Sequence, residues 1–454
     1  MKDKRVLVIG MGRSGKAAVC ALVDAGAAVS VQDSKREDKL DAEFAEYLNN
    51  NNVTKYLGRI PDDMGVFDVL VLSPGVPPEL DFIQEAREKG AQIMGELELA
   101  YRIGHGSYVA ITGTNGKTTT TTLVGEIYKE SGRDTHVVGN IGIAVISKAV
   151  EANTDSWLVT EVSSFQLETI ETFRPVVSAI LNLTPDHMDR HKTMGNYGRA
   201  KAAVFKNQTE EEYCVLNFDD KACFELAERE GCKAKVVPFS RKRELEFGAF
   251  ASEGRIVIRN EAGKTVDICG CDELQIPGTH NLENALAAAA VAYFGGIDAH
   301  IIAKVLRTFA GVEHRIEACG EINGVRFVND SKGTNPDAAI KAIEAMKENI
   351  ILIAGGYDKG SIYNEFIEAF GNSVKKLILL GATAPKIRET AEKAGFTDIV
   401  MAEDMEDCVA KAYESAEPGD VVLFSPACAS WDMYDNFEQR GDHFKSCVKA
   451  LEKN

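Results

Sequence analysis

The sequence predicts an α/β protein of three domains, each built on a mostly parallel sheet. Short apolar runs rich in Val, Ile and Leu alternate with helical patterns along most of the chain, and such runs are typical of strands buried on both faces of a parallel sheet. At 454 residues the chain is also too long for one ordinary core. The predicted strands include Arg5–Ile9, Val69–Leu72, Tyr108–Thr112, Trp157–Glu161, Val176–Leu181, Ile351–Ala354, Leu377–Leu380 and Val421–Phe424.

The domain organisation follows from three places where a strand opens a new nucleotide-fold-like segment. We predict domains at residues 1–95, 96–310 and 311–454. Within the second domain, Ser240–Gln275 consists of short runs of mixed polarity interrupted by glycines. This pattern favours antiparallel strands inserted in the otherwise parallel domain.

The charge balance limits the kinds of partner. The net charge is −18 with 26% charged residues, which argues against wholesale binding of nucleic acid or of an anionic membrane. Any anionic ligand must therefore be held by donors concentrated at a local site. The ten cysteines are scattered, and only Cys269 and Cys271 are close neighbours in the sequence. No second cluster at metal-binding spacing accompanies this pair, so a zinc site is not predicted there. We expect the cysteines to act as small apolar groups.

The distribution of apolar residues predicts a cytoplasmic location. No apolar run approaches the roughly 18–20 residues that span a bilayer. The segment MKDKRVLVIGMG passes from charged residues directly into a strand-like run, without the apolar core of a signal peptide. We therefore expect a cytoplasmic, monomeric protein that binds small molecules, neither nucleic acid nor membrane.

The first glycine loop, Gly10-Met11-Gly12-Arg13-Ser14-Gly15, follows a strand and precedes a helix predicted to end near Gly26. Asp33 follows the next apolar run, as in the dinucleotide-binding fingerprint of Rossmann-like folds. The pattern fits NAD, a UDP-sugar or a glycine turn with only a packing role, because the first two ligands both present a pyrophosphate flanked by ribose. Ser73-Pro74-Gly75 directly follows another strand, where the edge of such a ligand is expected.

The second glycine loop, Thr112-Gly113-Thr114-Asn115-Gly116-Lys117-Thr118, lies between a strand and a threonine-rich helix. It ends in the Gly-Lys-Thr of a phosphate-binding loop, although Ile111 stands where the general pattern has its first glycine. Backbone N–H groups of such loops hold phosphate, the lysine reaches the terminal phosphates and the hydroxyl binds Mg²⁺. We therefore predict a P-loop ATPase-like central domain that uses ATP and Mg²⁺. A dehydrogenase does not need ATP, and a simple kinase does not need the first domain.

The second glycine loop is one of several longer motifs, which are Thr112–Thr118, Glu161–Leu167, Asn182–His191, Gly278–Asn284, Glu313–Arg315 and Asp330–Pro336. Together they resemble the motifs of the Mur ligases, the family that builds the peptide stem of peptidoglycan. The resemblance runs through the whole chain in order. The motif Ser425–Asp432, followed by Asn436–Gly441, is similar to that of the D-glutamate-adding member in particular.

The resemblance implies an ATP-dependent carboxylate–amine ligase that works through an acyl phosphate. It implies catalytic roles for Lys117, Glu161, His187 and Lys201, and metal ligands at Thr118, Glu161, His187 and a carbamylated Lys201. ATP contacts are implied at Gly113, Thr114, Asn115, Gly116, Lys117, Thr118, Thr119, Asn281, Arg315, Asp330 and Lys332. The UDP-substrate would meet Gly12, Ser14, Asp33, Ser73, Gly75, Asn140 and Ser163, and D-glutamate would meet Thr334, Lys359, Ser430 and Phe437.

Three alternatives to the D-glutamate ligase stay open at this stage. An NAD-dependent oxidoreductase leaves the phosphate loop unexplained. A nucleotide-sensing regulator with an inactive ATP site conflicts with the intact Lys117, Glu161 and His187. A sibling ligase would add L-alanine or a diamino acid, or extend folate with glutamate. The first glycine loop argues against the folate type, and Ser425–Arg440 argues for D-glutamate.

Overall fold

The computed structural model describes residues 1–276, 278–346 and 349–451. It contains three sheets, of five, nine and six strands, in which most neighbouring strands are parallel. The predicted α/β class with three domains is confirmed.

The first sheet is wholly parallel and has the order β3-β2-β1-β4-β5. The chain leaves β1 in one direction and returns to its other side with β4, so the carboxyl ends of β1 and β4 border a crevice where ligands bind in such folds. Its elements are β1 Arg5–Ile9, α1 Arg13–Asp24, β2 Ala28–Asp33, α2 Ala42–Asn50, β3 Thr54–Leu57, β4 Val69–Leu72, α3 Asp81–Glu88, β5 Gln92–Gly95 and α4 Glu96–Ile103.

The nine-stranded sheet has the order β14-β13-β12-β11-β10-β9-β6-β8-β7. The elements from its first strand to the third sheet are β6 Ser107–Thr112, α5 Lys117–Glu130, β7 Thr135–Gly139, α6 Val145–Ala149, β8 Trp157–Glu161, α7 Ser164–Leu167, β9 Val177–Ile180, α8 Met188–His191, α9 Met194–Ala202, β10 Tyr213–Asn217, α10 Lys221–Phe224, α11 Leu226–Arg229, β11 Lys235–Ser240, β12 Gly248–Ser252, β13 Arg255–Arg259, β14 Thr265–Gly270, α12 Thr279–Phe294 and α13 Ala299–Thr308.

The expectation of antiparallel strands in Ser240–Gln275 is confirmed. Strands β12, β13 and β14 form an antiparallel meander. They are not a separate sheet, however, because β12 pairs in parallel with β11 and extends the edge of the nine-stranded sheet.

The third sheet has the order β15-β16-β20-β17-β18-β19, and its only antiparallel pair among the described residues is β15 with β16. The strands β17 and β20 are almost fully buried, as the continuous apolar runs predict. Its elements are β15 Glu317–Ile322, β16 Val325–Asn329, α14 Pro336–Met346, β17 Ile350–Ala354, α15 Asn364–Glu368, β18 Val374–Leu379, α16 Ala384–Lys393, β19 Ile399–Met401, α17 Met405–Glu414, β20 Val421–Phe424 and α18 Phe437–Leu451.

The chain divides into two compact units. The first unit comprises Met1–Leu183, Thr193–Cys271 and Asn284–Leu306, and the second comprises Thr184–Lys192, Asp272–Glu283 and Arg307–Asn454. Among the described residues, every helix is too short or too polar to cross a bilayer.

Candidate active site

The crevice of the first sheet is closed at its base by a direct contact between two strand ends. The Ser73 hydroxyl, just after β4, donates to the Gly10 carbonyl, just after β1, at 2.7 Å. A Cβ atom on Gly15 would lie 1.8 Å from the same carbonyl oxygen. Glycine at position 15 therefore lets α1 approach β1, which is the packing role of the last glycine in this fingerprint.

Asp33 supports the first glycine loop through one carboxylate oxygen and its own turn through the other. Oδ2 accepts from the backbone N–H of Met11 at 2.7 Å, and Oδ1 accepts from that of Lys35 at 2.8 Å. A cavity of about 570 Å³ opens beside it, with Asp33 and Gly75 in its wall. This volume lies within the usual range of small-molecule sites.

The other residues predicted for this ligand lie around the first glycine loop or in the nine-stranded part of the first unit. Gly12 is the N-cap of α1, and Ser14 lies in its first turn. Ser163 is the N-cap of α7, where it forms a capping box with Gln166. The hydroxyl of Ser163 therefore has a structural role in starting this helix.

The second glycine loop depends on two asparagines that the sequence analysis left without a role. The N–H groups of Thr114 and Asn115 donate to Asn182 Oδ1 at 3.0 and 2.8 Å. Gly116 has φ +81°, and a Cβ atom there would lie 2.2 Å from Asn284 Oδ1. Position 116 therefore requires glycine for its backbone conformation and for space.

Lys117 starts α5 and folds back over the loop. Its ammonium group donates to the carbonyls of Gly113 and Thr114 at 3.0 and 2.8 Å. Thr118 and Thr119 follow in the first turn of α5 and are buried. The loop thus carries an ammonium group and a hydroxyl at the N-terminus of a 14-residue helix, an arrangement that favours bound phosphate.

Glu161 reaches this loop because β8 lies beside β6, with Glu161 opposite Ile111 in the parallel register. The Thr118 hydroxyl donates to Glu161 Oε2 at 2.8 Å, and the Asn140 amide donates to Oε1 at 2.9 Å. The carboxylate is only 2% exposed. A hydroxyl and a carboxylate are oxygen ligands of the kind that Mg²⁺ prefers, so these residues fit the predicted metal.

Two charged residues from the first part of the chain, Arg13 and Glu96, contact the nine-stranded part of the first unit. Arg13 donates to the Asn140 carbonyl at 3.4 Å. Glu96, at the start of α4, accepts from the Ile146 N–H at 2.7 Å through Oε1, while its buried Oε2 has no hydrogen-bond partner. Burial raises the pKa of Glu96 to about 7, and the positive charge of Arg13 opposes that rise. Glu96 and Arg13 had no predicted role.

Lys201 also contacts the phosphate loop. Its side chain lies on α9, is 1% exposed, and donates to the Gly113 carbonyl at 2.7 Å. The ammonium group lies 4.5 Å from the centre of the Tyr197 ring. Lys201 is therefore a buried lysine beside the loop rather than a solvated surface residue.

In the second unit, Asp186 joins two motif residues, His187 and Asn335, to Lys359, a predicted D-glutamate contact. Its Oδ1 lies 3.5 Å from the ammonium group of Lys359, and its Oδ2 accepts from the Asn335 amide at 3.3 Å. His187 Nε2 lies 3.5 Å from Oδ2, and His187 has a left-handed backbone with φ +54°. Asp186 thus brings His187 and Lys359 together, a role that the sequence analysis did not assign.

Asp330 follows β16 and is fully buried. The Ser425 hydroxyl donates to its Oδ2 at 2.7 Å, and the Arg315 guanidinium lies 3.8 Å from Oδ1. Burial raises the pKa of Asp330 to about 6, although the charge of Arg315 opposes the rise. The pairing of Asn329 with Phe424 explains the contact, because it sets the carboxyl ends of β16 and β20 side by side.

Arg440 clamps three segments of the second unit and is 2% exposed. It donates to the hydroxyl and the carbonyl of Ser331 at 3.0 and 2.7 Å, and to the carbonyls of Cys428 and Ala429 at 3.1 Å each. The Ser331 hydroxyl donates in turn to the Phe437 carbonyl at 2.8 Å. A buried guanidinium with several acceptors fixes the loop after β16, the loop after β20 and the start of α18.

Thr334, Ser430 and Phe437, three of the four residues predicted for D-glutamate, lie on these segments, and Lys359 lies in the loop after β17. The Tyr357 N–H donates to the Ala429 carbonyl at 2.9 Å, which connects the loop of Lys359 with that of Ser430. The Lys332 ammonium group lies 4.2 Å from the centre of the Phe437 ring.

Two further predicted residues complete the second unit's set. The Thr334 N–H donates to the Lys332 carbonyl at 2.9 Å in a tight turn. Asn281 lies in the first turn of α12 and is buried.

The three sheets, the crevice with its glycine loop, and the phosphate loop beside a buried carboxylate define a nucleotide-dependent enzyme. Family models match along the chain: a Mur ligase MurD-like N-terminal domain at residues 4–95, a Mur ligase middle domain at 111–292, and a Mur ligase glutamate ligase domain at 314–428. The chain belongs to the Mur ligase family.

Individual relatives agree with this assignment over their full lengths. A UDP-N-acetylmuramoylalanine–D-glutamate ligase of Caldanaerobacter subterraneus subsp. tengcongensis is 51% identical over 456 residues, and one of Alkaliphilus oremlandii is 52% identical over 456 residues; each alignment covers 100% of both chains. The crystal structure of MurF ligase from Thermotoga maritima in complex with ADP is similar in fold. It has 17% sequence identity and a TM-score of 0.60, covering 99% of this chain and 96% of that chain.

Proposed function

We propose that the protein adds D-glutamate to UDP-N-acetylmuramoyl-L-alanine in an ATP-dependent reaction of peptidoglycan precursor synthesis. The observation that carries the proposal is the identity of about half of all residues, over the full length, with ligases named for this reaction. Membership of the Mur ligase family also removes the support for an NAD-dependent oxidoreductase, since the first glycine loop is part of that family's N-terminal domain.

The UDP-substrate is proposed to bind in the crevice of the first sheet. The pyrophosphate would meet the N-terminus of α1 at Gly12 and Ser14, where backbone N–H groups and the helix dipole favour an anion. Asp33, Ser73 and Gly75 would contact the nucleotide from the cavity and its rim. Because the chain is strongly acidic, this local concentration of donors has to supply the attraction.

The two remaining residues predicted to contact this substrate also lie in the first unit. Asn140 and Ser163 would meet the muramoyl part. Asn140 is already oriented, since its amide donates to Glu161 and its carbonyl accepts from Arg13.

ATP is proposed to bind the second glycine loop through Gly113, Thr114, Asn115, Gly116 and Thr119, with Lys117 on the terminal phosphates. The ammonium group would exchange the loop carbonyls that it now contacts for phosphate oxygens. Thr118 and Glu161 would hold Mg²⁺, which supplies a positive charge that stabilises the charge developing on the transferred phosphoryl group. Asn281, Arg315, Asp330 and Lys332 are the proposed contacts of ATP in the second unit.

Lys201 and His187 are proposed as further metal ligands, with Lys201 as a carbamate. Carbamylation joins the neutral amine to CO₂ with loss of one proton, which turns a cation into an anionic oxygen ligand. The position of Lys201 supports the proposal, because its side chain is buried beside the second glycine loop, where a bound Mg²⁺ would favour the carbamate anion.

D-glutamate is proposed to bind Thr334, Lys359, Ser430 and the backbone around Phe437. A dicarboxylate needs a cation and hydroxyl donors, and this set provides both. Arg440 connects the loops after β16 and β20, which carry Thr334 and Ser430.

The order of bond changes follows from the chemistry of the two substrates. The substrate carboxylate attacks the terminal phosphorus of ATP, which gives an acyl phosphate and ADP. The amine of D-glutamate then attacks the acyl carbon, phosphate leaves with the bonding electrons, and the nitrogen loses a proton. We further propose that the domain at residues 1–95 binds the UDP-substrate, that the domain at 96–310 binds ATP, and that the domain at 311–454 binds the amino acid. We also propose that the protein acts as a cytoplasmic monomer.

The proposal is tested by measuring phosphate release while omitting one component at a time. Release should require ATP, Mg²⁺, UDP-N-acetylmuramoyl-L-alanine and D-glutamate together. Equal rates with L-alanine or a diamino acid in place of D-glutamate would instead indicate a sibling ligase.

A further inference from the structure

A carboxylate, an imidazole and a thiol, all side-chain types that can bind metals, lie together on α17 and α18 of the second unit, at residues that carry no role in the proposed reaction. Glu406 is in the first turn of α17, and His443 and Cys447 lie one turn apart on α18. Glu406 Oε1 is 2.9 Å from His443 Nε2. One ligand atom from each of the three side chains lies within 4.8 Å of the other two.

The imidazole of His443 is held in place from its other side. The Tyr434 hydroxyl lies 2.9 Å from Nδ1, which leaves Nε2 directed at Glu406. Metal-bound histidines almost always make such a bond through the second ring nitrogen, because it fixes the tautomer and the orientation of the ring.

We propose that Glu406, His443 and Cys447 bind a divalent transition-metal ion, with zinc as the best fit and a water molecule as the fourth ligand. A thiolate, an imidazole and a carboxylate form a ligand set that selects zinc over Mg²⁺, since Mg²⁺ prefers oxygen ligands alone. The site would thus be chemically distinct from the oxygen-rich metal site at Thr118 and Glu161.

The distances are compatible with a four-coordinate ion after small side-chain movements. Zinc–nitrogen and zinc–sulfur bonds of roughly 2.0–2.3 Å place tetrahedral ligand atoms about 3.3–3.6 Å apart. Glu406 and His443 would separate by a few tenths of an ångström, and Cys447 would move inward by about 1 Å at most. The carboxylate side chain is 63% exposed and that of His443 is 34% exposed, so an ion can enter directly from solvent.

Binding would release the proton of the Cys447 thiol. Nε2 of His443 would also have to give up the proton that it donates to Glu406, because both atoms need a free lone pair to become ligands. The bound ion would join the middle of α18 to the first turn of α17. Phe437 and Arg440 lie at the start of the same helix, so the ion would stabilise the element that holds Ser331 and the loop after β20.

Cobalt(II) tests the proposal on the full-length protein, because its absorption reports both geometry and sulfur ligation. In the presence of a large excess of Mg²⁺, we expect one cobalt ion per chain with visible bands of a tetrahedral site and a near-ultraviolet thiolate-to-cobalt band. Zinc should displace it. Cys447→Ser should abolish the thiolate band, and His443→Gln should weaken binding at least tenfold. Tyr434→Phe, which removes only the outer contact, should weaken it by about 10–100-fold.

Cys319→Ser is the matched control, since Cys319 is another half-buried cysteine of the second unit and should leave the spectrum unchanged. If Cys447→Ser does not fold, Cys447→Ala takes its place, with circular dichroism as the check on folding. A thiolate band that persists without Cys447, or that disappears with Cys319, would overturn the proposal. So would an octahedral spectrum that Mg²⁺ abolishes, because it would come from the oxygen-rich site only.

Discussion

Replacing Lys117 with alanine tests whether the second glycine loop holds ATP. The ammonium group donates two hydrogen bonds to the loop carbonyls, at 3.0 and 2.8 Å, and would give these up for phosphate oxygens. The net free-energy gain on binding phosphate is therefore smaller than the energy of an isolated charged contact. We take this net gain as roughly 1.5–3 kcal/mol. Because 1.4 kcal/mol corresponds to a factor of ten, Lys117→Ala should lower kcat/KM for ATP by at least about tenfold to a hundredfold.

The assay is steady-state phosphate release with ATP varied, together with direct binding of the UDP-substrate, which should barely change. If charge on the phosphoryl group grows in the transition state, most of the loss will appear in kcat rather than in KM. Lys129→Ala is the matched control, because Lys129 lies in the last turn of α5 and pairs with Glu126 at the surface. Near-normal turnover of Lys117→Ala, or an equal loss in the control, would refute the assignment of the loop.

Three further results are expected. The raised pKa of Glu96 means that its contribution to the free energy of unfolding is complete below pH 4.5 and is lost as the pH rises through about 7. Urea unfolding of the wild type at a series of pH values should show this decrease in the free energy of unfolding, roughly 3 kcal/mol in total. An equal decrease in a Glu96→Gln variant would contradict the assignment to Glu96. Gly116→Ala forces a left-handed residue against Asn284, so kcat/KM for ATP should fall more than tenfold; unchanged kinetics would show that the loop tolerates a side chain. Lys201→Ala should lose most activity yet stay folded, and bicarbonate should restore CO₂-depleted wild type; normal activity and no bicarbonate effect would rule out the carbamate.

The strands and glycine loops were predictable because their signals are local. An apolar run such as Arg5–Ile9 or Val421–Phe424 must be buried wherever it lies, and both are strands with these bounds. The Gly-Lys-Thr sequence at a strand–helix junction likewise places Lys117 and Thr118 in the first turn of α5, as the structure has them. The antiparallel pairing of β12–β14 could also be predicted, because the glycines and the mixed polarity of Ser240–Gln275 are local features of the sequence.

The supporting residues were not predictable, because their roles depend on contacts between distant segments. Asn182 belongs to the motif Asn182–His191. Only the pairing of β6 with β9 brings its side-chain oxygen within hydrogen-bond distance of the second glycine loop. Arg440 lies 109 residues from its partner Ser331. In the sequence, Asp186 is one acidic residue of a polar loop. Its role becomes visible only in the structure, where Lys359 and His187 lie beside its carboxylate. The motifs signalled that these segments matter without revealing which atoms meet.

The central claim is the choice of amino acid, and one competition experiment tests it most directly. The protein is incubated with ATP, Mg²⁺, UDP-N-acetylmuramoyl-L-alanine and equal concentrations of unlabelled D-glutamate and ¹³C-labelled L-glutamate, and the nucleotide product is analysed by mass spectrometry. We predict a product that contains only unlabelled glutamate. Incorporation of both isotopic forms in similar amounts, or no glutamate adduct at all, would contradict the proposed function.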